Sequence, residues 1–356
     1  MKAAVYYGPG DVRVEDVPTD DVGPDDVRID VAWCGICGTD LHEYLGGPIF
    51  TPAEPHPRTG ESLPVTIGHE LSGVVSEVGE DVTRLSEGAR VVVEPNIPCH
   101  DCYYCEEGHH NRCENAAAIG LQTDTGGFAE NVVVPEPQVH ELPDDVSLKD
   151  GALVEPLAVG LHAVRRANLR PGDTAAVFGA GPIGLTAVHA AVDAGVKRLF
   201  VSEPQDGRRA IADRLGADVT IDPTAADPVE RIRAETAGGV DHAFEYAGVD
   251  PSFNAALRST RRGGVVTVGA VFEETTETDL KEVVTTERTV QGSQTYAYPP
   301  LSHRGEFDAV IQSLAAGDVD TDAFISATID LDDIVSAGFD AITDESTDLV
   351  KVLVEP

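Results

Sequence analysis

The chain has 356 residues, 42% of them hydrophobic, which is enough for a packed core in each of two domains of ordinary size. Acidic residues outnumber basic ones 62 to 25, and the formal net charge is −37. A field of that sign repels phosphate backbones and anionic lipid surfaces, so neither nucleic acid nor membrane is expected as a partner.

Over the first 150 residues, short β-prone runs are broken by Gly and Pro: VRIDVAW, LSGVVSEVG, ARVVVEP and FAENVVVP. They predict an all-β, barrel-like domain. From about Leu157 the rhythm becomes strand and helix in turn. TAAVFG, RLFVSE, DVTID, DHAFEYAG and GGVVTVGA read as strands, separated by helix-length segments such as PIGLTAVHAAVDAG and DGRRAIADRLGA. That alternation predicts an α/β fold with a parallel, doubly wound sheet. Gly195 and Gly216 stand where helix C-caps are expected. From about Thr295 the alternation stops, and the segment 295–356 is expected to return to the first domain.

The acids are scattered among apolar segments rather than gathered in blocks, which favours a folded protein with a hydrated acidic surface over acidic disorder. Such a surface suits a halophilic cytoplasm, where salt screens self-repulsion. There is no apolar run of about 18 residues, and the opening MKAAVYYGPGDVRVED turns acidic where a signal peptide needs an apolar stretch. The expected location is cytoplasmic.

Gly179-Ala180-Gly181-Pro182-Ile183-Gly184 follows a predicted strand and opens a predicted helix, and Glu203 closes the next strand. In that context the glycines read as a dinucleotide turn. They allow close approach of a pyrophosphate, whose charge meets N–H groups at the helix N-terminus. Glu203 is expected to accept from the adenosine ribose hydroxyls and to repel a 2′-phosphate, favouring NAD over NADP. Arg208 and Arg209 blur that preference, because an arginine here can accommodate the phosphate.

All six cysteines lie between positions 34 and 113. Cys99, Cys102, Cys105 and Cys113 form C-x2-C-x2-C-x7-C, a spacing that lets four thiolates surround one tetrahedral, structural zinc. A disulfide pair and an iron–sulfur cluster are the competing readings. His100, His109 and His110 are expected to face solvent. A second constellation joins Cys37, Thr39 and His42 in GICGTDLHEY, His69 and Glu70 in TIGHE, and Glu155 in ALVEPLAVG. Thiolate, imidazole and carboxylate suit a catalytic zinc that keeps one position for water or substrate. Cys34 and Cys37 also spell C-x-x-C, but the thioredoxin-like strand and helix that a redox pair needs are missing. Asp40 reads as a local cap.

Taken in order, GICGTDLH, GHELSGVVSEVG, the four-cysteine lobe, GGFAE, VEPLAVGLHAV and VFGAGPIG resemble the zinc-dependent medium-chain alcohol/polyol dehydrogenase family over nearly the whole chain. The resemblance implies a GroES-like β-barrel catalytic domain (1–155, with the structural zinc lobe at about 96–115), a Rossmann domain (156–294) and a return segment (295–356). It further implies one catalytic and one structural zinc per chain, and a homodimer or homotetramer. Carried over by position, Cys37 and His69 become catalytic zinc ligands, and Glu70 a direct ligand or one held behind the first shell. Glu155 takes the place where polyol dehydrogenases have a glutamate. Thr39 would receive the substrate's hydroxyl proton and pass it through the ribose towards His42. The insertion in LHEYLGGPIFTPAEPHPRTGESLPVTIGHELSG points within the family to 2,3-butanediol dehydrogenases, hence to a vicinal diol and its hydroxyketone, acetoin. Sorbitol, xylitol or threonine oxidation is the alternative on the same scaffold. A zinc-free quinone reductase or a non-catalytic dinucleotide-binding protein is the rival of a different class.

Overall fold

The computed structural model describes residues 1–296, 305–344 and 347–356. The chain divides into two compact units, Met1–Glu155 with Ala297–Pro356, and Pro156–Tyr296. Of the expected return segment, 297–304 and 345–346 lie outside the described residues.

The first unit opens with β1 (Lys2–Gly8), β2 (Asp11–Asp16), β3 (Asp26–Gly35), β4 (Val65–Thr66) and β5 (Glu70–Val78). It continues with β6 (Arg90–Val93), β7 (Asn96–Ile97), β8 (Ala117–Ala118), β9 (Asn131–Pro135) and β10 (Val139–Glu141). The second unit supplies β11 (Thr174–Phe178), β12 (Arg198–Ser202), β13 (Val219–Ile221), β14 (Val240–Glu245), β15 (Thr260–Val268) and β16 (Thr289–Gly292). The chain then adds β17 (Ile325–Asp330) and β18 (Lys351–Glu355) to the first unit.

In the first unit the main sheet runs β10-β6-β5-β3-β18-β17, with β9 also paired to β3, and a smaller sheet runs β2-β1-β4. The alternation expected of a half-buried strand is plain in β3, where Val27, Ile29 and Val31 are buried and Asp30 is exposed. The β3–β5 ladder shifts between Val31 and Trp33, and beyond that bulge Cys34 and Gly35 are both buried. The shift sets Gly35 opposite Glu70, so a break in the pleat aims a carboxylate inward. Tyr6, Ile67, Leu71, Phe128 and Phe339 fill the core around this junction.

The second unit is a six-stranded, wholly parallel sheet in the order β13-β12-β11-β14-β15-β16. Four of the five residues of β11 and of β12 are buried, the near-continuous apolar run that a sheet covered on both faces demands. The helices Pro182–Asp193 and Asp206–Arg214 end before Gly195 and Gly216, whose φ values of 79° and 102° are the left-handed turns expected of C-caps. Strand order reverses between β11 and β14, which opens a crevice at the carboxyl ends of the strands. Among the described residues no helix is long and apolar enough to cross a membrane.

One ion network fastens the returning helix Glu306–Ala316 to the β sheet of the first unit. His140 on β10 stacks on Phe307, with its Nε2 3.2 Å from Glu94 and its Nδ1 3.3 Å from Asp308. Burial alone disfavours the imidazolium, but the hydrogen bonds to Asp308 and Glu94 outweigh it and raise the pKa to about 9. The charged form therefore stabilises the fold fully below the unfolded imidazole value, and the contribution fades as pH rises from about 6.5 to 9. Wild type should lose on the order of 3 kcal/mol across that window relative to a His140→Gln variant. Urea titrations of both proteins at pH 6 and pH 9.5 measure the difference.

Candidate metal centres and dinucleotide pocket

Helix α1 (Gly38–Gly46) begins at Cys37, and Asp40 three residues on accepts the Cys37 N–H at 2.9 Å. This reciprocal cap fixes where the Cys37 sulfur points. Asp40 is fully buried, and its other oxygen lies 3.5 Å from Nδ1 of His69. The chain from β4 to β5 carries His69 and Glu70 to the same spot, and ligand atoms of Cys37, His69 and Glu70 all fall within 4.8 Å of one another. Thr39 Oγ1 is 3.7 Å from the Cys37 sulfur. His42 stands one turn further along the same face of α1, and both residues are half-buried.

Glu155, in the first turn of the helix Val154–Ala167, is buried but stands outside this group of three. It still feels the group: burial and the charge of Glu70 push its pKa up to about 7, while His69 and Lys351 pull it down. Burial likewise opposes charge on His69, yet Asp40 and Cys37 carry its pKa well above the imidazole range. The site thus gathers a cysteine sulfur and several carboxyl groups in a small space. One sulfur, one imidazole nitrogen and carboxylate oxygen converging form the donor set that fits a zinc ion. Cys34 is wholly buried behind it, with burial raising its thiol pKa, and belongs to neither a disulfide nor the ligand group.

The sequence reading missed the residue that balances this charge. Lys351 on β18 is 2% exposed, and its ammonium reaches Glu70 Oε1 and Oε2 at 2.7 and 2.5 Å and the Ile36 carbonyl at 2.9 Å. All three ammonium donors are used. The available signal was a lysine inside the apolar run LVKVLVEP, in a chain with only five lysines. Gly35 makes room for the pair, because a Cβ there would fall 2.2 Å from Glu70 Oε2. Glu43 was missed as well. Its fully buried carboxylate accepts from Ile49 N at 3.0 Å, Thr51 N at 3.2 Å, Thr51 Oγ1 at 2.6 Å and the Phe50 N–H. It pins the start of the 47–64 insertion beside α1, and Thr59 and Gln122 bind the rest to the 118–125 turn.

In the lobe, the sulfurs of Cys99, Cys102, Cys105 and Cys113 lie within 4.8 Å of one another. No disulfide forms: Cys99 and Cys105 sulfurs are 3.9 Å apart, far beyond a covalent bond. Sulfurs at the corners of a zinc tetrahedron with bonds of about 2.3 Å sit about 3.8 Å apart. Backbone N–H groups of Glu114 and Cys105 hold the Cys102 thiol down to about 6, whereas burial pushes Cys105 up to about 12. His100, whose φ of 62° curls the chain between the first two cysteines, is exposed, while His109 and His110 are half-buried.

The second unit holds a cavity of about 770 Å³ at the switch point, lined by Gly179, Gly181, Glu203, Arg208 and Tyr246 among others. Gly179 has a left-handed φ of 90°, and a Cβ on Gly184 would lie 1.9 Å from the Gly179 carbonyl, so both are steric requirements. Gly181 is different: a Cβ there would meet open space, so its bareness leaves room for a ligand in front of the helix that starts at Pro182. Ile183 sits half-buried in that first turn. Glu203 is buried, with its oxygens accepting from Ala180 N at 2.7 Å and Gln205 N at 3.0 Å. Arg209 is committed to the Glu203 and Pro204 carbonyls and to Asp206. Arg208 has no such partner among the described residues, and its buried Nε is unpaired.

Replacing Lys351 with Met leaves Glu70 as an uncompensated buried charge, which should cost about 3–5 kcal/mol in urea unfolding. The Lys351→Met, Glu70→Gln double variant should cost clearly less than the two single changes summed, a coupling that a double-mutant cycle measures directly.

The family Alcohol dehydrogenase GroES-like domain matches residues 23–144, and Zinc-binding dehydrogenase matches 182–316. The (R,R)-butanediol dehydrogenase of Bacillus subtilis is 42% identical to this chain over the full length of both, and that of Neisseria gonorrhoeae is 38% identical over 100% of this chain and 99% of its own. Among solved structures, 2R,3R-butanediol dehydrogenase from Bacillus subtilis superposes with a TM-score of 0.92, at 42% identity, over 100% of this chain and 99% of that one. A zinc-binding dehydrogenase from Sinorhizobium meliloti bound to NADP gives 0.89 at 35% identity, over 100% and 99%. The chain belongs to the zinc-dependent medium-chain alcohol and polyol dehydrogenases, oxidoreductases that act on the CH–OH group.

Proposed function

We propose that this enzyme interconverts a vicinal diol, 2,3-butanediol, and its hydroxyketone, acetoin, using NAD. The observation that carries the reading is the convergence of Cys37, His69 and Glu70 in a buried, charge-rich site, on a chain whose other unit builds a dinucleotide crevice. The names of the full-length relatives support the diol. When bound, zinc acidifies a substrate hydroxyl and the nicotinamide accepts a hydride.

The chain's own residues do the rest. Cys37, His69 and Glu70 hold the metal, and Glu155 sets the charge beside it and receives the second hydroxyl of a diol. Thr39 Oγ1 takes the hydroxyl proton, and His42, on the same face of α1, delivers it to solvent, a role that imidazole side chains suit. The four lobe cysteines hold a second, structural zinc. Pro182 and Ile183 present the helix N-terminus to the pyrophosphate, while Glu203 and the unpaired Arg208 meet the adenosine ribose. The buried carboxylate of Glu203 favours NAD over NADP.

The assay is hydride transfer at 340 nm with NAD and NADP against butanediol stereoisomers, sorbitol, threonine and ethanol. A preference for any non-diol overturns the substrate while leaving the reaction class. Cys37→Ala should lower turnover by at least about a thousandfold with NAD affinity unchanged, a loss of ~4 kcal/mol in transition-state stabilisation. Cys102→Ser should instead lower the melting temperature and release one of two zinc ions, counted by metal analysis.

Six unpaired cysteines support a reducing cytoplasm as the location. The edge strand β16, whose outer side has no strand partner among the described residues and where Val290 is 41% exposed, supports a homodimer or homotetramer. The net charge of −37 supports a halophilic setting, so the melting temperature should climb between low and molar salt. Equal melting temperatures at both salt concentrations would remove that reading.

A further inference from the structure

Tyr246 follows β14, the first strand on the far side of the switch point from Glu203. Its backbone is fixed by an N–H bond to the Phe178 carbonyl at 2.8 Å. The ring lies across the end of β15, where a Cβ on Gly269 would fall 2.4 Å from Cε1 and 3.1 Å from Cζ. Gly269 is thus bare to admit this phenol. Tyr246 lines the dinucleotide cavity together with Gly179, Gly181, Glu203 and Arg208. Its hydroxyl oxygen is closed off from water and has no hydrogen-bond partner among the described residues.

A buried hydroxyl without a partner is costly and calls for an explanation. The nearest acid does not supply one. Glu245 is already engaged by Ala247 N at 2.9 Å, Gly248 N at 3.1 Å and Ser252 Oγ at 2.7 Å. Burial, reinforced by the Glu245 charge, raises the phenol pKa well above its usual value, so the group keeps its proton and remains a donor. In a doubly wound sheet the two halves of a dinucleotide lie on opposite sides of the switch point. Glu203 beyond β12 marks the adenosine side, which leaves the β14–β15 side for the other half.

We propose that the Tyr246 hydroxyl hydrogen-bonds the ribose of the nicotinamide half of the cofactor, making Tyr246 a cofactor-binding residue of this enzyme. This rests on the reading of the second unit as a nicotinamide dinucleotide site. Binding gives the buried phenol the partner that it lacks in the free pocket. A conservative Tyr246→Phe change keeps the ring on Gly269 and removes only the oxygen.

The test is calorimetric titration of wild type and Tyr246→Phe with NAD, ADP-ribose and ADP. Tyr246→Phe should bind NAD and ADP-ribose about tenfold more weakly, while ADP, which lacks the second ribose, binds both proteins equally. The ligand-free variant should melt no lower than wild type, since it has shed an unpaired buried hydroxyl. Equal NAD affinity in the two proteins means that the hydroxyl is served by a water or by the fold, and overturns the assignment. Equal losses for ADP and ADP-ribose overturn it too, by moving the contact to the phosphates. A wild type that binds no nicotinamide nucleotide sinks the functional reading and this inference together, whereas wild-type binding unmatched by any change in the variant sinks the inference alone. Should Tyr246→Phe fail to fold, fluorotyrosine placed at 246 gives a second measurement. Its fluorine resonance should move with NAD and ADP-ribose but not with ADP, and a signal indifferent to all three refutes the contact.

Discussion

The first unit is organised around one buried ammonium. Around Lys351 the chain packs Glu70 and Glu155, both buried, with the Cys37 sulfur close by. Carboxylates so placed repel one another and lose their hydration, and a single cation among them is what makes the arrangement tolerable. Burial works against the charge on Lys351, but the coulombic pull of Glu70 raises its pKa. Much of the surrounding geometry follows from keeping this pair dry and in register. The bulge in β3 turns Gly35 towards Glu70, and β18 pairs with β3 so that Leu353 lies opposite Gly35. The Ile36 N–H donates to the Val352 carbonyl at 3.0 Å, which brings the Ile36 carbonyl within reach of the ammonium.

One lysine leaves the site short of positive charge. The converging donors of Cys37, His69 and Glu70 fit a divalent cation, whose charge would close most of the deficit. Asp40 does two jobs in that arrangement: it caps α1 at Cys37 and faces the ring nitrogen of His69, so one carboxylate orients both side chains. The molecule's charge is thus handled in two opposite ways. Most of the 62 acids are left to water, while a few are gathered inside around one lysine.

Much of this was legible in the order of residues. The glycine turn, its following strand and Glu203, and the four-cysteine lobe announce themselves because their chemistry is local: each needs close neighbours in sequence, and spacing displays them. The parallel sheet was legible for a similar reason, since strand and helix alternate in plain view. What stayed hidden depends on distant pairing. Lys351 is a single cation in a run of valines, and no periodicity reveals that it will meet Glu70. Glu43 reads as an ordinary helical surface acid until the 47–64 insertion folds over it and donates its backbone N–H groups. Tyr246 looks like any aromatic at a strand end, and only the emptiness of Gly269 beside it shows why it is there. Glu155 was singled out by position, yet its carboxylate stands apart from the three that converge, a matter of side-chain direction that sequence does not encode.

The distance along the chain between the partners of the buried pair has a consequence for biosynthesis. Glu70 and Lys351 are 281 residues apart, with the whole of the second unit between them. At a translation rate of about 5–20 residues per second, the carboxylate waits on the order of a quarter to a full minute for its ammonium to emerge from the ribosome. Over that interval the second unit is free to fold as an autonomous body, while the first remains an open sheet missing β17 and β18. The nascent polypeptide therefore matures out of order, with its middle finished before its beginning.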